Sequence, residues 1–140
     1  MLGLGIVAAG AVAGVAACAL LYLVIVGALS AIGGGQPGGI WQGAWSFGTI
    51  FGLLSGAHWS FAVAMRRLRG YPRAFLTARI LSPLLVALAI LLALTGERWE
   101  TMFDGLGGPA LILVIAWLAM THFVSKTLER HTPAEKSAGA

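Results

Sequence analysis

The sequence predicts an all-α integral membrane protein, with four transmembrane helices in an antiparallel up-down bundle and both termini cytoplasmic. Three observations carry this expectation. First, 59% of the 140 residues are hydrophobic before 20 Gly are counted, and only 10% are charged. Soluble domains are about 25% charged, so these charges are too few to cover a globule of this size in water. Second, the apolar residues fall into four runs, each near the roughly 20 residues a helix needs to cross the hydrocarbon. Third, the basic residues gather at one end of those runs. The same composition excludes an ordinary soluble domain and a disordered chain. It also excludes a nucleic-acid module, although the net charge is +4 and the pI is near 10.0.

The first span covers about residues 2–32 and contains no charge. At about 1.5 Å per residue it outruns a hydrocarbon core of roughly 30 Å, so it must tilt or protrude. Ala28-Leu29-Ser30 is small enough to resemble a signal-peptide cleavage site. The run nevertheless exceeds a signal core of about 7–15 residues and no Lys or Arg opens it, so a retained span is expected. Cys18, the one cysteine, lies within it. A lone cysteine makes neither an intramolecular disulfide nor a Cys-based metal site, and acts here as a small hydrophobe.

Residues 33–39 read Gly-Gly-Gly-Gln-Pro-Gly-Gly, a density of Gly and Pro that ends any helix in a turn. The second span, about 40–65, stops at Arg66-Arg67-Leu68-Arg69-Gly70. Pro72 suits the first position of the helix that follows. That helix holds the third span, about 75–95. Pro83 inside it removes a backbone donor and crowds the Arg79 carbonyl, which predicts a kink. The loop 96–108 mixes Glu97, Arg98, Glu100 and Asp104 with Trp99, Met102, Phe103 and Leu106, a composition suited to the headgroup level. Pro109 opens the fourth span, about 109–125, whose helix is expected to continue past Lys126 toward His131 until Pro133 stops it. Residues 1–132 then form one transmembrane domain, and 133–140 a short, disordered cytoplasmic tail.

Under this topology one side carries Arg66, Arg67, Arg69, Arg73, Arg79, Lys126, Arg130 and Lys136, and the other carries Arg98 beside three acids. Short basic loops resist translocation, so the positive-inside rule places both termini in the cytoplasm and loops 33–39 and 96–108 outside. Trp41, Trp45 and Trp99 then fall at the outer interface as an aromatic belt. The expected location is a bacterial inner (cytoplasmic) membrane.

The clearest motif is a stripe of small residues on the second span. Ala44, Gly48, Gly52, Gly56, Ser60 and Ala64 recur every four positions, and residues four apart lie one above another on a helix. Such a bare face lets backbones approach, as in GxxxG and glycine-zipper packing. A four-residue repeat slightly exceeds 3.6, so the stripe wraps slowly and suits a right-handed crossing. Gly10 and Gly14 on the first span are the matching positions, with Cys18 in the same spacing. The stripe can pack the first two spans together, join another copy or another subunit, or form a groove for a ligand.

His58 and His122 lie within spans, where an ionisable side chain is a functional hypothesis by default. Histidines on facing helices can ligate haem iron. His58, however, sits about 12 Å inside the basic boundary and His122 about 6 Å, an awkward mismatch for one haem. His58 also lies about 100° from the glycine stripe, nearer the face of Phe51, Ser55 and Ala62. The plain alternative is a neutral imidazole bonded to a backbone carbonyl, to Ser55 or to another helix. Arg79 can snorkel to the headgroups, or join His58 and His122 in a small ligand or cofactor pocket. Arg66, Arg67, Arg69 and Arg73 form a juxtamembrane cluster that attracts anionic lipid headgroups.

All five acids lie outside the four apolar cores, which argues against a proton- or cation-driven carrier. No nucleophile elbow, zinc-binding His pair or phosphate-binding loop appears, so no catalytic residues are assigned and no metal site is expected. The leading expectation is a non-enzymatic structural, assembly or accessory subunit packing through its glycine-lined faces, as a homo-oligomer or in a larger membrane complex. The alternatives are a b-type haem redox module using His58 with or without His122, and a small-solute or lipid-handling protein.

Overall fold

The computed structural model describes residues 1–33, 39–95 and 107–131, the last segment with side chains from residue 111 onward. Among these residues four α-helices form: α1 (Leu2–Gly33), α2 (Ile40–Arg67), α3 (Pro72–Leu94) and α4 (Gly107–His131). All four are long and apolar enough to cross a membrane, and they mark the chain as a membrane protein. The Gly-rich turn interior, the 96–106 loop with Trp99, and the tail from residue 132 lie outside the described residues.

The helix boundaries exceed the apolar spans where backbone chemistry permits. Pro72 sits in the first turn of α3, as its missing N–H allows, and the Tyr71 carbonyl accepts from the Phe75 N–H at 2.9 Å. α2 runs two residues past its expected end, through Arg66 and Arg67. Cations at a helix C-terminus complement its dipole, and hydrogen bonding does not stop where hydrophobicity does. α4 likewise reaches His131. α3 is helical throughout, Pro83 included.

α2 is the centre of the molecule. In its most apolar stretch 67% of residues are buried, against 22% for α1, 17% for α3 and 11% for α4. It packs against all three other helices, most extensively α1, whereas α3 and α4 scarcely meet. It is also the least hydrophobic of the four. Lipid rewards apolar surface, so the helix carrying Ser, Thr and Gly is the one withdrawn from it.

Two apolar clusters fill the interior. One joins Val7, Ala64, Leu68 and Ala78, and the other joins Cys18, Tyr22, Val26, Phe47, Phe51, Ala93 and Leu113 with their neighbours. In the second, Phe47 stacks on Phe51 at 4.5 Å between centroids, and Phe51 meets Trp117 edge-on at 4.9 Å. These offset and edge-to-face arrangements suit the ring quadrupoles. They carry the core from α1 through α2 to α4.

Candidate functional site

The seam between α1 and α2 is built of small residues. A Cβ added to Gly14 would run into the Gly52 carbonyl, and one on Gly52 into the backbone of Gly14 and Val15. On Gly56 it would meet the Gly10 carbonyl and lie 2.8 Å from Ala11 Cα. On Gly48 it would lie 2.8 Å from Ala19 Cβ, and on Gly10 it would strike the Ser60 hydroxyl. The pairs climb α1 as they descend α2. Ser60 Oγ donates within its own helix to the Gly56 carbonyl at 2.6 Å and across the seam to Ile6 at 3.3 Å. Ala44 is buried in the aromatic cluster. The two glycine-bearing faces thus meet each other within one chain. Gly43 belongs to the same seam, beneath the ring of Tyr22. Gly43 lies one position off the α2 stripe, and Tyr22, four residues after Cys18, is not a small residue, so the small-residue pattern does not single them out.

A knot of polar side chains ties α2 to α4. Trp117 Nε1 donates to Ser55 Oγ at 2.8 Å and approaches the Phe51 carbonyl at 3.3 Å. Ser55 Oγ lies 2.9 Å from Thr121 Oγ1 and 3.9 Å from Cys18 Sγ. Trp59 Nε1 donates to the Thr121 carbonyl at 3.2 Å. A serine hydroxyl offers one donor and two acceptor positions, so these three partners occupy its full capacity. Ser55 therefore serves α4 and α1. No hydrogen bond links it to His58 among those described.

Beyond the knot a second tie joins α2 to α4, where Arg66 reaches Glu129. The Arg66 guanidinium donates to the Glu129 backbone carbonyl and stands 3.9 Å from its carboxylate. From His58 past this pair to Arg69 runs an open groove of about 520 Å³. Its α2 wall is His58, Phe61, Ala62, Met65 and Arg66, continued by Arg69 in the turn after the helix, and its α4 wall is Ser125 and Glu129. The α2 residues recur at helical spacing along one face. The small side chains of Ala62 and Ser125 leave the width. One end is charged and the middle is apolar, so the groove fits an amphipathic occupant.

His58 thus shares a groove with Arg66 and Arg69, and neither Arg79 nor His122 lines it. The reason is architectural: Arg79 is exposed on α3, which scarcely touches α4. His122 is exposed on α4. Arg67 is exposed at the end of α2, and Arg73 borders a separate groove with Met1, Tyr71 and Thr77. Among the described residues no three or more His, Cys, Asp or Glu side chains cluster as metal ligands. No protein-family model, curated protein or solved structure matches the chain.

Proposed function

We propose that the chain is a small non-enzymatic membrane protein, an accessory or assembly subunit of a larger complex in a bacterial inner membrane. The observation that carries this reading is the use made of the interior polar groups. Ser55, Ser60, Trp59, Trp117 and Thr121 hydrogen-bond helix to helix, and Trp59 and Ser60, which border an apolar groove, direct their N–H and O–H to protein carbonyls. Buried groups arranged this way hold a scaffold together; a catalytic site needs them aimed at a reacting atom.

In this reading the glycine-lined faces build the subunit itself, in the manner of a glycine zipper. The outer faces of α3 and α4 are what a neighbouring subunit or second copy meets. The bundle is up-down, with both termini cytoplasmic and the basic ends of the helices on that side.

The test is gentle detergent extraction, with identification of co-purifying chains and the molar mass of the particle. A stable particle holding another membrane chain or further copies is expected. A lone 14.5 kDa chain at every detergent concentration overturns the reading. A visible spectrum separates the haem alternative: a Soret band lost in His58→Ala would replace the subunit reading with a redox one. The mixed character of the His58 groove is what favours lipid handling as a second reading.

A further inference from the structure

We propose that the groove between α2 and α4 is a binding site for one anionic phospholipid, with its phosphate at Arg69 and Arg66 and an acyl chain running inward toward His58. The length fits. His58 to the end of α2 at Arg67 spans about 14 Å of helix at about 1.5 Å per residue, close to one leaflet of a hydrocarbon core about 30 Å thick, and Arg69 lies in the turn just beyond. The chemistry changes along it as a lipid does. Arg66 and Arg69 line the outer end, and Phe61, Ala62 and Met65 the apolar stretch.

The charge balance selects an anion. Glu129 is held by Arg66 through both its carboxylate and its carbonyl. Arg69 lines the same groove and makes no ion pair among the described residues. The groove thus keeps one uncompensated positive charge at headgroup level. The Ser55–Thr121 knot holds α2 against α4 at the inner end, and the Arg66–Glu129 pair lies on the groove lining toward the charged end.

This site goes beyond the general attraction of a basic cluster for anionic lipid, which acts on every exposed cation near the surface. It is also independent of the subunit reading, because a lone chain would bind the lipid as well.

The test uses the full chain in neutral detergent, titrated with phosphatidylglycerol or phosphatidylcholine and read by native mass spectrometry. Phosphatidylglycerol is expected to bind one per chain and more tightly than phosphatidylcholine. Arg69→Gln should weaken it about fivefold, the fold-change matching about 1 kcal/mol per basic residue at a membrane surface. Ala62→Trp, which fills the groove without changing charge, should weaken it at least as much. Arg130→Gln, which removes an equal charge outside the groove, should leave it unchanged. Equal losses in Arg130→Gln and Arg69→Gln would mean diffuse attraction and overturn the site. So would undiminished binding in Ala62→Trp, or equal affinity for the two lipids. Displacement by millimolar inorganic phosphate as effectively as by phosphatidylglycerol would assign the groove to a free anion and overturn the lipid proposal. Should Ala62→Trp lose helicity or monodispersity, Ser125→Leu narrows the groove from the α4 wall, with the same outcomes deciding.

Discussion

Ser55 is one hydroxyl with partners on two other helices: Cys18 on α1, and Trp117 and Thr121 on α4. In hydrocarbon no water replaces a lost partner, although measured interhelical hydrogen bonds average only about 0.6 kcal/mol and reach about 1.7. Ser55→Ala removes several at once and is expected to cost about 1–2 kcal/mol. Ser82 on α3 is the converse case. Its hydroxyl is buried with no hydrogen-bond partner, and an unsatisfied buried polar group costs about 1–3 kcal/mol. Ser82→Ala is therefore expected to leave stability unchanged or raise it. Denaturant titration of both variants in one detergent checks the pair, and an equal loss in each contradicts the assignment of the knot to Ser55. The sequence names both serines but ranks neither. They sit in similar apolar surroundings along the chain, and only the position of α4 gives one a set of partners.

At the scale of the element, the glycines divide by what lies opposite them. At Gly52 a Cβ meets backbone, which no rotamer change can relieve; at Gly27 it meets nothing within 4 Å. Gly52→Leu is expected to lose about 3 kcal/mol or more, or to prevent folding, since overpacking a tight core already costs about 1–3 kcal/mol. Gly27→Ala should be neutral or stabilising, because Gly in mid-helix is about 0.5–1 kcal/mol worse than Ala. Thermal unfolding followed by helicity compares the two directly. A tolerated Gly52→Leu would show that α1 and α2 do not approach as closely as described. The stripe on α2 was legible from its spacing alone. The small face of α3, with Ala78, Ser82, Ala89 and Ala93 buried, was obscured by the leucines and isoleucines around it. In a membrane those larger residues belong on the lipid side, and the sparse small ones mark the contact.

For the whole molecule, the distribution of charge makes a prediction that packing does not. If the basic ends are cytoplasmic, as proposed, a single cysteine placed at Lys136 in a Cys18→Ala background should be labelled only from the cytoplasmic side. One placed at Gln36 should be labelled only from outside. Membrane-impermeant maleimide on intact cells and inverted vesicles reads both, and the opposite pattern reverses the proposed orientation. In the proposed orientation the depth of the groove follows the same axis, with its Arg66 and Arg69 end at the headgroups of the cytoplasmic leaflet and His58 nearer the midplane.

The sequence by itself determined the solvent, the four helices long and apolar enough to cross it, and their approximate bounds. Those depend on sums over many neighbouring residues: apolar length against bilayer thickness, and Gly and Pro against helix continuity. It also pointed to the glycine stripe, because a four-residue period is a local property. Only the tertiary structure decided what the stripe faces, which helix is central, and which charged groups share a space. His58, Arg79 and His122 are comparable as letters in three apolar runs. They differ because α4 leaves a groove beside His58, whereas α3 scarcely meets α4. Which helices adjoin depends on pairwise fits between distant segments, here Gly14 against Gly52 and Ser55 against Thr121, and no local pattern encodes those fits.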